Sequence, residues 1–171
     1  ATVDNLARSH APPRMWPIRP MPGRFTVASD ANGSVIGAAN DARYAPFVAM
    51  VESVNTEAAV GMYKLLYPLF QSAYEFLGFR GQYFNDRLVA VIDVLLKTPA
   101  PSGSLQVEVP AFEGPLKPTR PWLLYRFKDP DLENLSGGQK MLLRAGPGNG
   151  KRLKAKLAAI RTLLVTAKAN R

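Results

Sequence analysis

Between Asp41 and Asn55 apolar residues recur at helical spacing, with Phe47, Val48, Val51 and Val54 on one side, and they predict a first full helix. Thr56 is expected to cap a longer helix that runs to about Leu77 and is closed by Gly78. Its apolar stripe is Met62, Leu66, Leu69, Ala73 and Phe76, flanked by a second stripe of Tyr63, Tyr67, Phe70 and Tyr74. Only Lys64, Pro68, Gln71, Ser72 and Glu75 make a polar strip, so the helix is expected at the centre of a bundle. Pro68 removes the backbone bond to the Lys64 carbonyl and predicts a kink. Asn85 to Lys97 predicts a third helix, with Leu88, Val91, Ile92, Leu95 and Leu96 inward and Asp86, Ala90, Asp93 and Lys97 outward.

The rest is shorter in period. Thr2 to Arg8 reads as the tail of a helix, and five prolines between His10 and Gly23 favour an extended arm. Arg24–Ala28 and Ser34–Ile36 predict a small hairpin, and Leu105–Val109 and Trp122–Phe127 a ribbon lying against the bundle. Asp129-Pro130 opens a short helix and Ser136 another, which Gly146-Pro147 ends. The last helix is expected from about Asn149 to Lys168, with Leu153, Leu157, Ile160 and Leu164 buried and Lys151, Lys154, Arg161 and Lys168 on the far side. The fold class is therefore mainly α: a compact bundle of five to six helices with a small β-ribbon and a Pro-rich N-terminal arm. At this length one globular domain is the default, divided into the arm and hairpin (1–40), a helical core (41–98), a loop and ribbon (99–128) and basic C-terminal helices (129–171).

Charge changes the picture at one end. After Glu133 no acid follows, and nine lysines and arginines lie between Asn134 and Arg171, which equals the whole net charge of +9. A one-signed region attracts anionic surfaces, and Lys140, Arg144, Lys151, Lys154, Arg161 and Lys168 are the candidate binding residues. The alternative is a solvated helix face in a protein whose acids lie elsewhere. There is no cysteine, which removes disulfides, zinc-thiolate sites and cysteine nucleophiles, and His10 is the sole histidine, which removes the usual general base. No cofactor or metal is expected. No apolar run approaches the roughly eighteen residues needed to span a bilayer.

Leu135-Ser136-Gly137-Gly138-Gln139 matches the signature peptide of ATP-binding-cassette ATPases. No phosphate-binding loop precedes it, and the nearest candidate, Ala145 to Arg152, lies downstream without the required first glycine or hydroxyl. The simpler reading is an S-x-x-Q capping box. Asp129, Asp131 and Glu133 lack the glycine turn and distal glutamate of a calcium loop and suit the first turn of a helix. Tyr83, Asn85, Asp86 and Arg87 form a possible polar site, in which Asn85 or its neighbour is most simply an N-cap and Arg87 the partner of a nearby acid. Tyr63, Tyr67 and Tyr74 could stack a ligand but suit a core with polar tips. Glu52, Glu57 and Glu75 could supply the acid of a glycosidase, although no spacing fixes a pair.

Several stretches, taken in order, carry a resemblance. They are Val3-Asp4-Asn5-Leu6, Tyr83 to Leu88, Asp129-Pro130 with Leu132-Glu133, Leu135-Ser136 with Gly138-Gln139-Lys140, and Gly146-Pro147 with Lys154 to Leu157. Together they resemble an uncharacterised bacterial family, domain of unknown function 3014. That resemblance implies an inner-membrane protein of Gram-negative bacteria with one N-terminal transmembrane helix, a Pro-rich linker and a soluble domain like this one, facing the periplasm. A start at Ala1 without methionine is what a processed or trimmed product would give. The family carries no assigned activity, so no residue's role transfers. The expected function is a non-enzymatic envelope interaction domain whose basic face meets an anionic lipid surface, cell-wall polymer or acidic protein. The rivals are a Glu-based cell-wall enzyme and, if the domain is cytoplasmic, a nucleic-acid binder.

Overall fold

Eight helices and two antiparallel ribbons follow one another in the computed structural model, which describes residues 2–10, 21–31, 33–111, 119–120 and 123–166. The helices are α1 (Thr2–Leu6), α2 (Ala39–Ser53), α3 (Thr56–Leu65), α4 (Tyr67–Phe76), α5 (Phe84–Leu96), α6 (Pro130–Glu133), α7 (Gly137–Arg144) and α8 (Pro147–Thr166). The strands β1 (Val27–Asp30) and β2 (Gly33–Ile36) form one hairpin, and β3 (Val107–Glu108) and β4 (Arg126–Phe127) form the expected ribbon in shortened form. The chain is mainly helical, as its periodicity predicts. The body of the expected arm, residues 11–20, lies outside the described residues, as do Trp122 and Lys168. No helix among the described residues is long and apolar enough to cross a membrane.

Helix α8 packs against α2, α3, α5 and α7. Its stripe of Leu157, Ile160 and Leu164 meets Val60 of α3 and Leu88 and Ile92 of α5. A second cluster joins Val91 and Leu95 of α5 to Leu142 of α7, with Val3 and Leu6 of α1 packed over it. The ribbon closes the third cluster, where Val107 and Phe127 pair across the strands and pack on Leu143. Local capping is as the sequence predicts at two starts. The Asp129 carboxylate accepts the Asp131 N–H at 2.9 Å with Pro130 in the first turn of α6, and Ser136 and Gln139 make a full capping box on α7.

Two local expectations are corrected. Asn55, not Thr56, caps α3, because its side chain reaches the Ala58 N–H at 2.8 Å. Helix α5 begins at Phe84 with Tyr83 at the N-cap, and the missing cap bond comes from outside, the Gln71 Oε1 accepting the Phe84 N–H at 2.9 Å.

The larger correction concerns the long helix. It breaks at Leu66, ahead of Pro68, into α3 and α4. It also lies at the edge of the bundle, with its two apolar stripes used in the reverse of the expected way. The aromatic stripe turns inward: the Tyr63 and Phe70 rings stack at 5.5 Å, Phe70 and Phe84 at 5.9 Å, and Tyr74 and Phe79 at 4.4 Å. The Tyr63 hydroxyl donates to Asn85 Oδ1 at 3.2 Å and Tyr67 to Gln71 Oε1 at 3.0 Å, so these tyrosines are half-buried with satisfied polar tips, while Phe70 stays partly exposed. Met62, Leu66, Leu69 and Phe76 face outward in consequence, with Phe76 91% exposed.

Gly138 marks where α7 comes closest to its neighbours. A Cβ there would lie 2.5 Å from Leu95 Cδ2 and 2.8 Å from the Leu6 carbonyl oxygen, and the adjacent Gly137 N–H donates to the Arg8 carbonyl at 2.7 Å. Gly138→Ala is therefore expected to lower the unfolding free energy by about 1–3 kcal/mol in a urea titration, whereas Gly61→Ala, with open space at its Cβ, should not lower it.

Candidate functional site

Among the described residues, a cavity of about 190 Å³ lies where α1, the end of α4 and the start of α5 meet, lined by Asp4, Asn5, Arg8, Tyr74, Leu77, Phe79, Phe84 and Arg87. One end is polar. Asp4 sits between two guanidinium groups: Arg87 Nε donates to its Oδ1 at 2.8 Å with Nη2 on the same oxygen, and Arg8 Nη2 meets Oδ2 at 2.7 Å. Burial pushes the Asp4 carboxyl up, but the hydrogen bonds and charge of Arg87, joined by Arg8, outweigh it and hold the group below the usual carboxylate range. The other end is a wall of rings, the Tyr74–Phe79 stack with Phe84 tilted against Tyr74 at 5.6 Å. Asn5 also lines the cavity; it is 2% exposed, and its side-chain Nδ2 has no hydrogen-bond partner among the described residues.

Of the possible polar site, Arg87 lines this cavity, while Asn85 accepts the Tyr63 hydroxyl, and Tyr83 and Asp86 are exposed. Arg87 does have an acid for a partner, but one 83 residues away in sequence. Tyr74 also reaches the cavity wall, and Tyr63 and Tyr67 do not line it. Asp4 and Asn5 entered the sequence reading only through the resemblance. Nothing in their spacing marks them, because α1 is five residues long and its partners come from a distant helix.

Among the described residues, most of the candidate basic side chains have partners within the fold. Lys140 Nζ bonds the Glu133 carboxylate and carbonyl, each at 2.9 Å. Arg144 donates to the Tyr125 carbonyl at 3.1 Å and lies 5.1 Å over the Phe127 ring, and burial lowers its pKa. Lys154 and Arg161, expected on the far side of α8, flank its buried stripe instead: Lys154 Nζ donates to the Thr98 carbonyl at 3.1 Å, and Arg161 pairs with Asp93. Lys151 is exposed, and Lys168 lies outside the described residues. Two cations not singled out join the pattern, Arg152 on Glu52 and Lys156 on the Val54 carbonyl at the C-cap of α2.

The glutamates considered for glycosidase chemistry do not line this cavity. Glu52 is exposed and held below the usual carboxylate range by the Arg152 hydrogen bond, while Glu57 and Glu75 are exposed, Glu75 accepting Gln71 Nε2 at 2.8 Å. In the peptide at 135–139, the Ser136 hydroxyl takes the Gln139 N–H, and the Gln139 amide takes the Ser136 N–H and donates to the Val94 carbonyl at 3.0 Å. Those groups face the protein and not an open anion site.

The Asp4 pairing carries a pH dependence of known sign. A carboxyl lowered by folding contributes stability that is fully present above its unfolded value, 3.8, and is lost as pH falls through the folded value. Asp4→Asn is expected to cost about 1–3 kcal/mol at neutral pH and to flatten the acid limb of stability below pH 3.8, measured by denaturant titration across pH. An unchanged acid limb in the variant would contradict the pairing.

No curated protein and no solved structure matches the chain significantly. The stretches at Asp4-Asn5, Phe84 to Arg87 and Ser136 to Gln139, far apart in sequence, meet around α1, and the model of one family spans them all. The family described as Protein of unknown function (DUF3014) matches residues 1–161, and the chain belongs to it.

Proposed function

We propose that the chain is a non-enzymatic interaction domain of the cell envelope that seats on an anionic lipid surface through the outward side of α3 and α4. The observation that carries this reading is the row of apolar side chains left outside the bundle. Leu65 is 74% exposed, Leu69 68% and Phe76 91%, with Met62 and Leu77 beside them. Leu69, Ala73 and Phe76 recur at helical spacing on one side of α4. Scattered exposed leucines are ordinary, but a continuous apolar stripe favours a partner that buries it. Seating such side chains in an apolar medium contributes about 1.5–3 kcal/mol each.

Charge favours lipid over a second copy. Two copies would each bring a net charge of +9 to the contact, whereas an anionic leaflet is complementary to it. Each basic residue near such a surface contributes about 1 kcal/mol, and two exposed cations lie close in sequence, Lys64 within the stripe and Arg80 just beyond it. Internal ion pairs redistribute the excess cations without changing their sum. The tether at the periplasmic face of the inner membrane that the resemblance implies would hold the domain at a lipid surface, so modest affinity would suffice.

Sedimentation with vesicles tests the reading. The wild type is expected to bind anionic vesicles, less at high salt, and Leu69→Ser combined with Phe76→Ser should weaken binding more than about tenfold at unchanged melting temperature. Lys151→Glu serves as the charge variant that leaves the fold intact. Absence of binding at low salt, or binding indifferent to the Leu69 and Phe76 changes, would overturn the proposal and turn the search to an acidic protein or cell-wall polymer.

A further inference from the structure

We infer that the cavity between α1, α4 and α5 is a binding site for a small carboxylate carrying an apolar group about the size of a ring, separate from the stripe proposed to meet lipid except at Leu77, which borders both. Three observations converge on that chemistry. The first is charge: Asp4 answers only one of the two guanidinium groups beside it, so the polar end holds a net single positive charge. Each guanidinium has five N–H donors, and Arg87 uses only its Nε and Nη2 on Asp4. One monoanion balances the site. A dianion such as phosphate would meet the Asp4 carboxylate with surplus negative charge.

The second observation is Asn5. A buried amide without a partner costs about 1–3 kcal/mol, and Asn5 is 2% exposed with its Nδ2 unpartnered among the described residues. It lines the same cavity as the arginines. A carboxylate has two acceptor oxygens, one for an arginine N–H and one for the Asn5 amide, whose Nδ2 is closed to solvent and meets the ligand only by turning into the cavity.

The third is the opposite wall. The Tyr74–Phe79 stack, Phe84 and Leu77 offer ring faces and methyl groups and no charge. A cavity of about 190 Å³ exceeds the roughly 150 Å³ that suffices for benzene, so the apolar part of the ligand is of ring size. A free arylcarboxylate has this chemistry, and so does the C-terminal carboxylate of a peptide ending in an aromatic residue.

The test is an NMR titration of the described chain with phenylacetate, with benzyl alcohol as the uncharged control, reading the Asn5 side-chain amide and the Arg8 and Arg87 Nε–H signals. Saturable shifts with phenylacetate and none with benzyl alcohol are expected. Arg8→Gln, at a residue with an exposed side chain, should weaken binding about tenfold, the loss of one charge-assisted hydrogen bond. Asn5→Leu should abolish the response, and Asn5→Gln provides a second variant if the first fails to fold. A tripeptide ending in phenylalanine, compared with its C-terminal amide, separates the sources: tighter binding of the free-acid peptide than of phenylacetate identifies a chain terminus, and the reverse a free small molecule. Shifts equal for benzyl alcohol and phenylacetate, no saturable shift with either acid, or an Asn5 amide that contacts only a long-lived water would overturn the assignment.

Discussion

Helix α8 meets four other helices, and its cations fasten the ends of two of them. Arg152 pairs with Glu52 and Lys156 bonds the Val54 carbonyl at the C-terminal end of α2. Arg161 pairs with Asp93 and Lys154 bonds the Thr98 carbonyl just beyond α5. Both carbonyl contacts place positive charge where the helix dipole is negative. Between these polar fastenings lies the apolar seam of Leu157, Ile160 and Leu164 against Val60 and Ile92. Exposed ion pairs stabilise little one at a time. Together with the seam they hold α8 against α2, α3 and α5.

That placement links the fold to the proposed function. A sequence whose last acid is Glu133 looks as though it ends in an unopposed basic surface, yet in three dimensions acids from α2, α5 and α6 come to meet it. What remains is a net positive charge and an apolar edge. In the proposed reading the two would act at different ranges: the net charge would draw the domain toward an anionic surface over about a Debye length, and the apolar side chains of α4 would hold it on contact.

Elements whose signals are local were legible from the sequence. The α6 cap, the capping box of α7, the seam of α8 and the inward face of α5 all follow from residues within a turn or two of one another. The direction in which α3 and α4 face was not legible. A helix with two apolar stripes carries no local information about which one is buried, and the outcome rests on Phe79 and Phe84, which arrive from outside it. The cavity was half legible, through Arg87 and Tyr74. Its other half comes from α1, joined to Arg87 across 83 positions, a contact that no periodicity records. The same is true of Arg152 and Glu52, 100 positions apart.

The fold depends most on α8 being fastened by its cations, and carboxyl titration by NMR measures that directly. Asp93 and Glu52 are each held below the usual carboxylate range, chiefly by the hydrogen bonds from Arg161 and Arg152. Lowered values for both in the wild type, with Asp93 alone returning to its ordinary value in Arg161→Gln and Glu52 alone in Arg152→Gln, are the expected result. Ordinary values for both in the wild type would mean that these cations face solvent, and would contradict the account.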